Sequence, residues 1–262
     1  METSLLSLLA ACLAFVGTHF LLSHPLRRPI VARIGEGPFL GLYSLVALAT
    51  FAWIVLAFRA VPAPDLPGSG ELGWAAATLL TLVALVLFLG SLSGNPAFPD
   101  PKHAAQPPTE ARGVYAVTRH PMMWGFAIWA LSHALLYWSV RTLVVTAAIG
   151  FLALVGAHLQ DRKKEALLGA RWADWEARTH FWPRLGKLLK VGFPLWFKAF
   201  ALWLLASILH LILAGIPLRR RNRANRSGRR PTAAAARRLA ETPLPRDSGR
   251  TNNCAAPSPG RR

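Results

Sequence analysis

The residues of this 262-residue chain best able to do chemistry are its eight histidines. An imidazole ligates metals, moves protons and titrates near neutrality. In an apolar chain the depth of each one matters, because an ionisable group inside a membrane span is by default a functional signal. His19 lies near the end of an apolar run that stops at His24-Pro25. His120 stands in Arg119-His120-Pro121, where another run begins, and proline suits the first turn of a helix. His158 closes a third run and is followed by Asp161 and Arg162. These three histidines are expected at one depth, on one side of a bilayer. His133 lies 13 residues beyond His120, about 20 Å deeper at 1.5 Å per residue. His210 is in the middle of the last run, and His103 and His180 fall in loops.

Two neutral imidazoles from different helices, at one depth and walled by apolar side chains, can supply the axial nitrogens of haem b. Arg27, Arg28, Arg119 and Arg162 sit at the matching edge to hold its propionates. The simpler reading of His19 and His120 is a hydrogen bond between helices. His19 and His24 are about 140° apart on a helix, so only one of them faces inward, and the deeper His19 is preferred.

A second constellation runs from Asp161 to Trp175. Leu167, Leu168, Trp172 and Trp175 recur at helical spacing, which predicts an amphipathic helix in the interface with its Trp and Lys/Arg at headgroup depth. Glu165 is one turn beyond Asp161 and can pair with Arg162 or Arg119. The plainer reading is an anchor whose surface ion pairs carry little energy.

Composition says what must position these groups. The chain is 53% hydrophobic and 16% charged, against about 25% charge in a soluble domain. Six stretches approach the roughly 20 apolar residues that cross a bilayer: 4–23, 39–59, 72–92, 123–139, 142–160 and 194–216. The expected fold is an all-α integral membrane bundle of five or six transmembrane helices, with an interfacial amphipathic helix after the fifth. The first stretch carries Glu2 and no basic residue ahead of it, so it reads as a retained helix and not a signal peptide. Residues 1–216 form the expected transmembrane domain and 217–262 a disordered basic tail.

The net charge of +18 divides into +7 before Leu218 and +11 after it, so it is poor grounds for specific nucleic-acid binding. Cys12 and Cys254 are too few for a disulfide scaffold or a cysteine zinc site. Lys/Arg placement puts the loops after helices one, three and five in the cytoplasm, with the N-terminus outside. The 13 arginines of the tail conflict with a spanning sixth helix, which is therefore spanning, re-entrant or interfacial. The loop over 93–119 is long and polar, as functional loops often are.

The run Gly113-Val-Tyr-Ala-Val-Thr-Arg119-His120-Pro121-Met-Met-Trp-Gly125, continuing to Trp129 and His133, resembles the signature of the NnrU family. So do Ser93-Gly94-Asn95-Pro96, His158-Leu-Gln-Asp161-Arg-Lys-Lys-Glu165, and His19-Phe-Leu-Leu-Ser-His24-Pro-Leu-Arg27. The resemblance covers roughly residues 1–216. It implies an inner-membrane protein associated with nitrite and nitric oxide metabolism in denitrification. The family is similar to 15-cis-zeta-carotene isomerase, an integral membrane haem b enzyme. That similarity implies His19 and His120 as axial ligands, Arg27 and Arg119 beside the haem, and isomerase or redox chemistry on a lipophilic small molecule.

More distantly, Arg119-His120-Pro121 and the acidic-aromatic helix after it resemble isoprenylcysteine carboxyl methyltransferases and phospholipid methyltransferases. There the implied ligand is S-adenosylmethionine, contacted by Arg119, His120 and Glu165. Met123, Trp172 and Trp175 stand where those enzymes usually carry aromatic hydroxyls. A third expectation is a non-catalytic accessory protein of a respiratory complex, with the same residues as polar glue between helices.

Overall fold

The computed structural model describes residues 2–62, 69–96, 107 and 110–214. The chain divides into two units, 1–220 and 221–262, and every described residue lies in the first. The predicted basic tail, with Cys254, and most of the 97–109 segment lie outside the described residues.

Among the described residues the only regular structure is helical. The helices are α1 (Glu2–Ser23), α2 (Arg27–Ile34), α3 (Glu36–Ala60), α4 (Glu71–Gly90), α5 (Pro121–Leu136), α6 (Val140–Leu168), α7 (Ala170–Arg178) and α8 (Phe193–Ala214). Two 3₁₀ turns, Gly113–Ala116 and Leu185–Lys190, flank the α5–α7 region. Five helices, α1, α3, α4, α6 and α8, are long and apolar enough to cross a membrane. Large apolar side chains face outward along them, including Leu13, Leu48, Leu56, Leu79 and Ile212, each at least 66% exposed except Leu79 at 65%. Water would penalise such a surface and lipid does not, so this is a multi-pass membrane protein. Helix α5 has 16 residues, about 24 Å, and falls short of the roughly 30 Å hydrocarbon core by itself.

Small residues set the helix spacing, as expected where lipid is as apolar as the side chains. A Cβ on Gly125 of α5 would lie 2.9 Å from the Ala84 carbonyl oxygen of α4. A backbone atom cannot rotate away, so Gly125→Ala is expected to cost about 1–3 kcal/mol. Thermal melting in detergent checks this, with Gly17→Ala, which meets nothing within 4 Å, as the harmless control.

Helix α6 is central. On one side Val144, Val145 and Ala148 pack against a cluster of α1 and α3 residues, Leu8, Ala11, Cys12, Ile54 and Ala57. On the other, Gly150 faces Ala130 of α5 and Gly156 approaches Met123. Helix α6 therefore stands between α1 and α5.

Three expectations are corrected. The fifth apolar stretch does not end near residue 160: α6 runs on to Leu168, 29 residues and about 44 Å, carrying Asp161–Glu165 on the same rod. The break comes at Gly169, whose φ of +53° suits glycine and stops the helix. The amphipathic helix that follows, α7, turns its tryptophans into protein and not out to the surface. Trp172 and Trp175 are 0% exposed, packed with Val114, Tyr115, Val117, Leu188 and Val191. The periodicity correctly marked an apolar face, but the two 3₁₀ segments cover it with protein. The loop after the first span also contains a helix, α2, where only a loop was expected.

Candidate functional site

The site forms where the irregular segment 117–120 meets α6 and α7. That segment is held by main-chain hydrogen bonds: Arg119 N–H donates to His180 O at 2.9 Å, and Arg184 N–H to Val117 O at 2.8 Å. Thr118 Oγ1 donates to Phe181 O at 2.7 Å. Trp124 Nε1 donates to the same carbonyl at 2.8 Å. Pro121 then opens α5, with His120 as its preceding residue. Arg119 and His120 thus leave the segment with fixed directions.

Both reach Asp161 of α6. Arg119 Nε and Nη2 donate to Asp161 Oδ2 at 2.9 and 2.6 Å. His120 Nε2 lies 2.7 Å from Asp161 Oδ1 and, facing a carboxylate, carries the hydrogen. His120 is 3% exposed and Asp161 4%, so the contacts are made away from water. Arg119 also bonds Glu176 of α7 at 3.0 Å and packs over the Phe181 ring, 5.5 Å from its centre. One guanidinium therefore ties the start of α5 to α6 and α7. The other nitrogen of His120, Nδ1, is shielded and has no hydrogen-bond partner among the described residues.

Beside this network opens a cleft of about 370 Å³, lined by Arg119, His158, Asp161, Arg162, Glu165, Glu176, Phe181 and Trp182. Arg162 and Glu165 pair loosely at 3.4 Å on the outer rim. Glu176 sits in a crowded place. Burial is the main cause that raises its carboxyl above the usual range, Asp161 and Glu165 add to it, and Arg119 opposes them.

A sequence profile described as NnrU protein matches residues 7–218. The chain belongs to the NnrU family. No curated protein and no solved structure matches it. The matched span contains the whole cleft and the helices that build it.

Within this NnrU-family fold the sequence-selected residues part into two groups. Arg119, His120 and Glu165 meet around Asp161 and the cleft, as does His158, which is exposed at its lining. His19 and Arg27 lie elsewhere. His19 Nδ1 donates to Phe15 O at 2.7 Å, and its ring packs on Phe15 and edge-on to Tyr43 of α3. Arg27 pairs with Glu36 and lies over the Phe39 ring. Asp161 and Lys163 project about 160° apart around α6. Asp161 takes Arg119 on one side, while Lys163 Nζ reaches Ser23 O at the end of α1 on the other, at 3.3 Å. Among the described residues no hydrogen bond or ring contact joins His19 to His120; α1, which carries His19, and α5, which follows His120, pack on different faces of α6. Among the described residues no group of three or more His, Cys, Asp or Glu side chains forms a metal-ligand set.

Glu176, Phe181 and Trp182 were not singled out from the sequence. A signal existed for Glu176: it is one turn beyond Trp172 in a helix of strong apolar periodicity, and a buried arginine calls for countercharge. Nothing local marked Phe181 or Trp182, which join the cleft through the return of 180–184 beside 117–120.

Proposed function

We propose that this NnrU-family protein binds a small cationic ligand bearing a flat aromatic group in the Arg119–Asp161–Glu176 cleft, and that the ligand is S-adenosylmethionine. The observation that carries the reading is the lining. Two arginines and three carboxylates face the cleft together with the rings of Phe181, Trp182 and His158. With the histidines neutral, one negative charge is left over. A concave site with low-dielectric walls concentrates that field. S-adenosylmethionine carries a sulfonium, an ammonium and a carboxylate, a net single positive charge, on a molecule with a flat adenine. Aromatic faces attract such cations and stack on such rings. The volume lies within the range of small-molecule sites.

Each side chain then has a role. Asp161 and Glu176 hold Arg119 rigid. Arg162, mostly exposed and only loosely paired, is the cation available to a ligand carboxylate. Glu165 and Glu176 face the ligand's positive groups. When bound, S-adenosylmethionine supplies a methyl group to a nucleophile. The cleft lies at the end of membrane-crossing helices, so the acceptor in this reading is a lipophilic molecule that arrives through the bilayer. In this reading that end faces the cytoplasm, which the Lys/Arg-rich loops favour.

Calorimetry on the detergent-solubilised full chain tests this. S-adenosylmethionine is expected to bind, and S-adenosylhomocysteine, which lacks the sulfonium charge, to bind roughly tenfold more weakly, the scale of about 1.4 kcal/mol. Binding needs ionised Glu176, whose pKa is raised by burial. Affinity should therefore fall as pH drops through that raised pKa, at higher pH than for an ordinary glutamate, and Glu176→Gln should flatten the profile. Absence of binding by a well-folded sample sinks the proposal. A stoichiometric b-type absorption spectrum lost in His120→Ala would replace it with the haem reading.

A further inference from the structure

We propose a second site, for the phosphate group of an anionic phospholipid, at the adjoining ends of α1, α2 and α6, formed by His24, Arg27, Lys163 and Lys164. It shares no residue with the cleft.

Arg27, Lys163 and Lys164 lie within reach of one another's charge, Glu36 is beside Arg27 and Lys163, and His24 follows the Ser23 carbonyl that Lys163 holds. Lys164 is 9% exposed, and no ion pair to Lys163 or Lys164 occurs among the described residues. Lys163 Nζ is held by Ser23 O, the carbonyl at the last residue of α1. Arg27 lies near enough to both lysines for their charges to repel, and its one salt-bridge partner among the described residues is Glu36. Three cations thus share a single acid. Both ring nitrogens of His24 are shielded and lack a hydrogen-bond partner. Taking cations out of water is costly without an anion, and like charges brought together add to the cost. An anion with several oxygens answers both deficits: it accepts from lysine ammonium groups, from the arginine fork and from an imidazole N–H.

Position selects the source of that anion. The cluster sits at the ends of α1 and α6, two helices long and apolar enough to cross a membrane, where lipid headgroups would lie. Basic pockets between helix ends are a recurring way to hold anionic headgroups. Leu21, two residues before the end of α1, and Leu42 and Leu45 on α3, the helix that carries Glu36, are exposed and offer apolar surface to acyl chains.

The test uses the full chain in neutral detergent, with phosphatidylglycerol, phosphatidylcholine or inorganic phosphate added. Phosphatidylglycerol is expected to raise the melting temperature and to stay bound one-to-one by native mass spectrometry, while the other two do neither. A Lys163→Gln/Lys164→Gln protein should lose about tenfold in phosphatidylglycerol affinity. The exposed, charge-matched Arg28→Gln/Lys190→Gln protein should keep it. If the first double variant does not fold, Lys164→Arg must retain binding and Glu36→Gln, which frees Arg27, must strengthen it. Equal losses in both double variants would reduce the effect to general surface charge and overturn the site. Stabilisation by inorganic phosphate equal to that by phosphatidylglycerol would overturn the lipid assignment.

Discussion

Replacing Asp161 with alanine will destabilise the protein by about 3–5 kcal/mol and abolish ligand uptake by the cleft. Asp161 is 4% exposed and accepts hydrogen bonds from both Arg119 and His120. Removing it leaves a largely buried guanidinium with Glu176 alone, and a buried imidazole with neither nitrogen paired among the described residues. The loss is expected to be strongly non-additive. Arg119→Ala/Asp161→Ala should melt well above the sum of the two single losses, because the double variant buries no lone charge. Asp161→Asn should fall between the wild type and alanine: it keeps the shape and an acceptor for one partner but not the charge. Detergent melting curves decide this. An alanine variant that melts like the wild type would show that the network is solvated and carries no energy.

The second large effect is expected at Trp172. Its indole is 0% exposed, and with Trp175 it fills the core beneath the two 3₁₀ segments. Trp172→Ala should cost about 3–5 kcal/mol. The damage should be local. The tryptophans share a core cluster with Leu87 of α4 and Ile128 of α5, but those helices also pack directly on each other, as at Gly125 and Ala84, so helical circular dichroism should persist while α7 loosens and Glu176 leaves Arg119. Binding in the cleft would then be lost in a protein that is still inserted and still helical. Trp182→Ala is the informative contrast. Trp182 is 68% exposed, so stability should change by no more than about 0.5 kcal/mol, but the cleft loses an aromatic wall and binding weakens. If both variants behave alike, the division between cap core and cleft wall is mistaken.

By itself the sequence determined the helices, their membrane setting and half of the cleft. Apolar runs of about 20 residues leave few structures besides spanning helices, since lipid offers backbone groups no hydrogen bonds. Pro121 and Gly169 mark helix boundaries through local φ preferences, which act within a residue or two. His120 is legible because an ionisable group at the end of an apolar span is costly unless it does something, Arg119 because it stands at the same edge, and Glu165 because it lies one turn beyond Asp161.

What the sequence did not settle was which of these groups meet. Depth along a helix is local arithmetic, but the direction a side chain faces depends on which helices become neighbours. Residue counting puts His19 and His120 at one depth, but α1 and α5 take different faces of α6: Gly150 and Gly156 seat α5 on one, while Val144, Val145 and Ala148 receive α1 on the other. The periodicity of α7 foretold an apolar face but not its covering. Only the folding of 113–116 and 185–190 over Trp172 and Trp175 decided that this face meets protein and not lipid, and the same return of the chain carried Phe181 and Trp182 into the cleft.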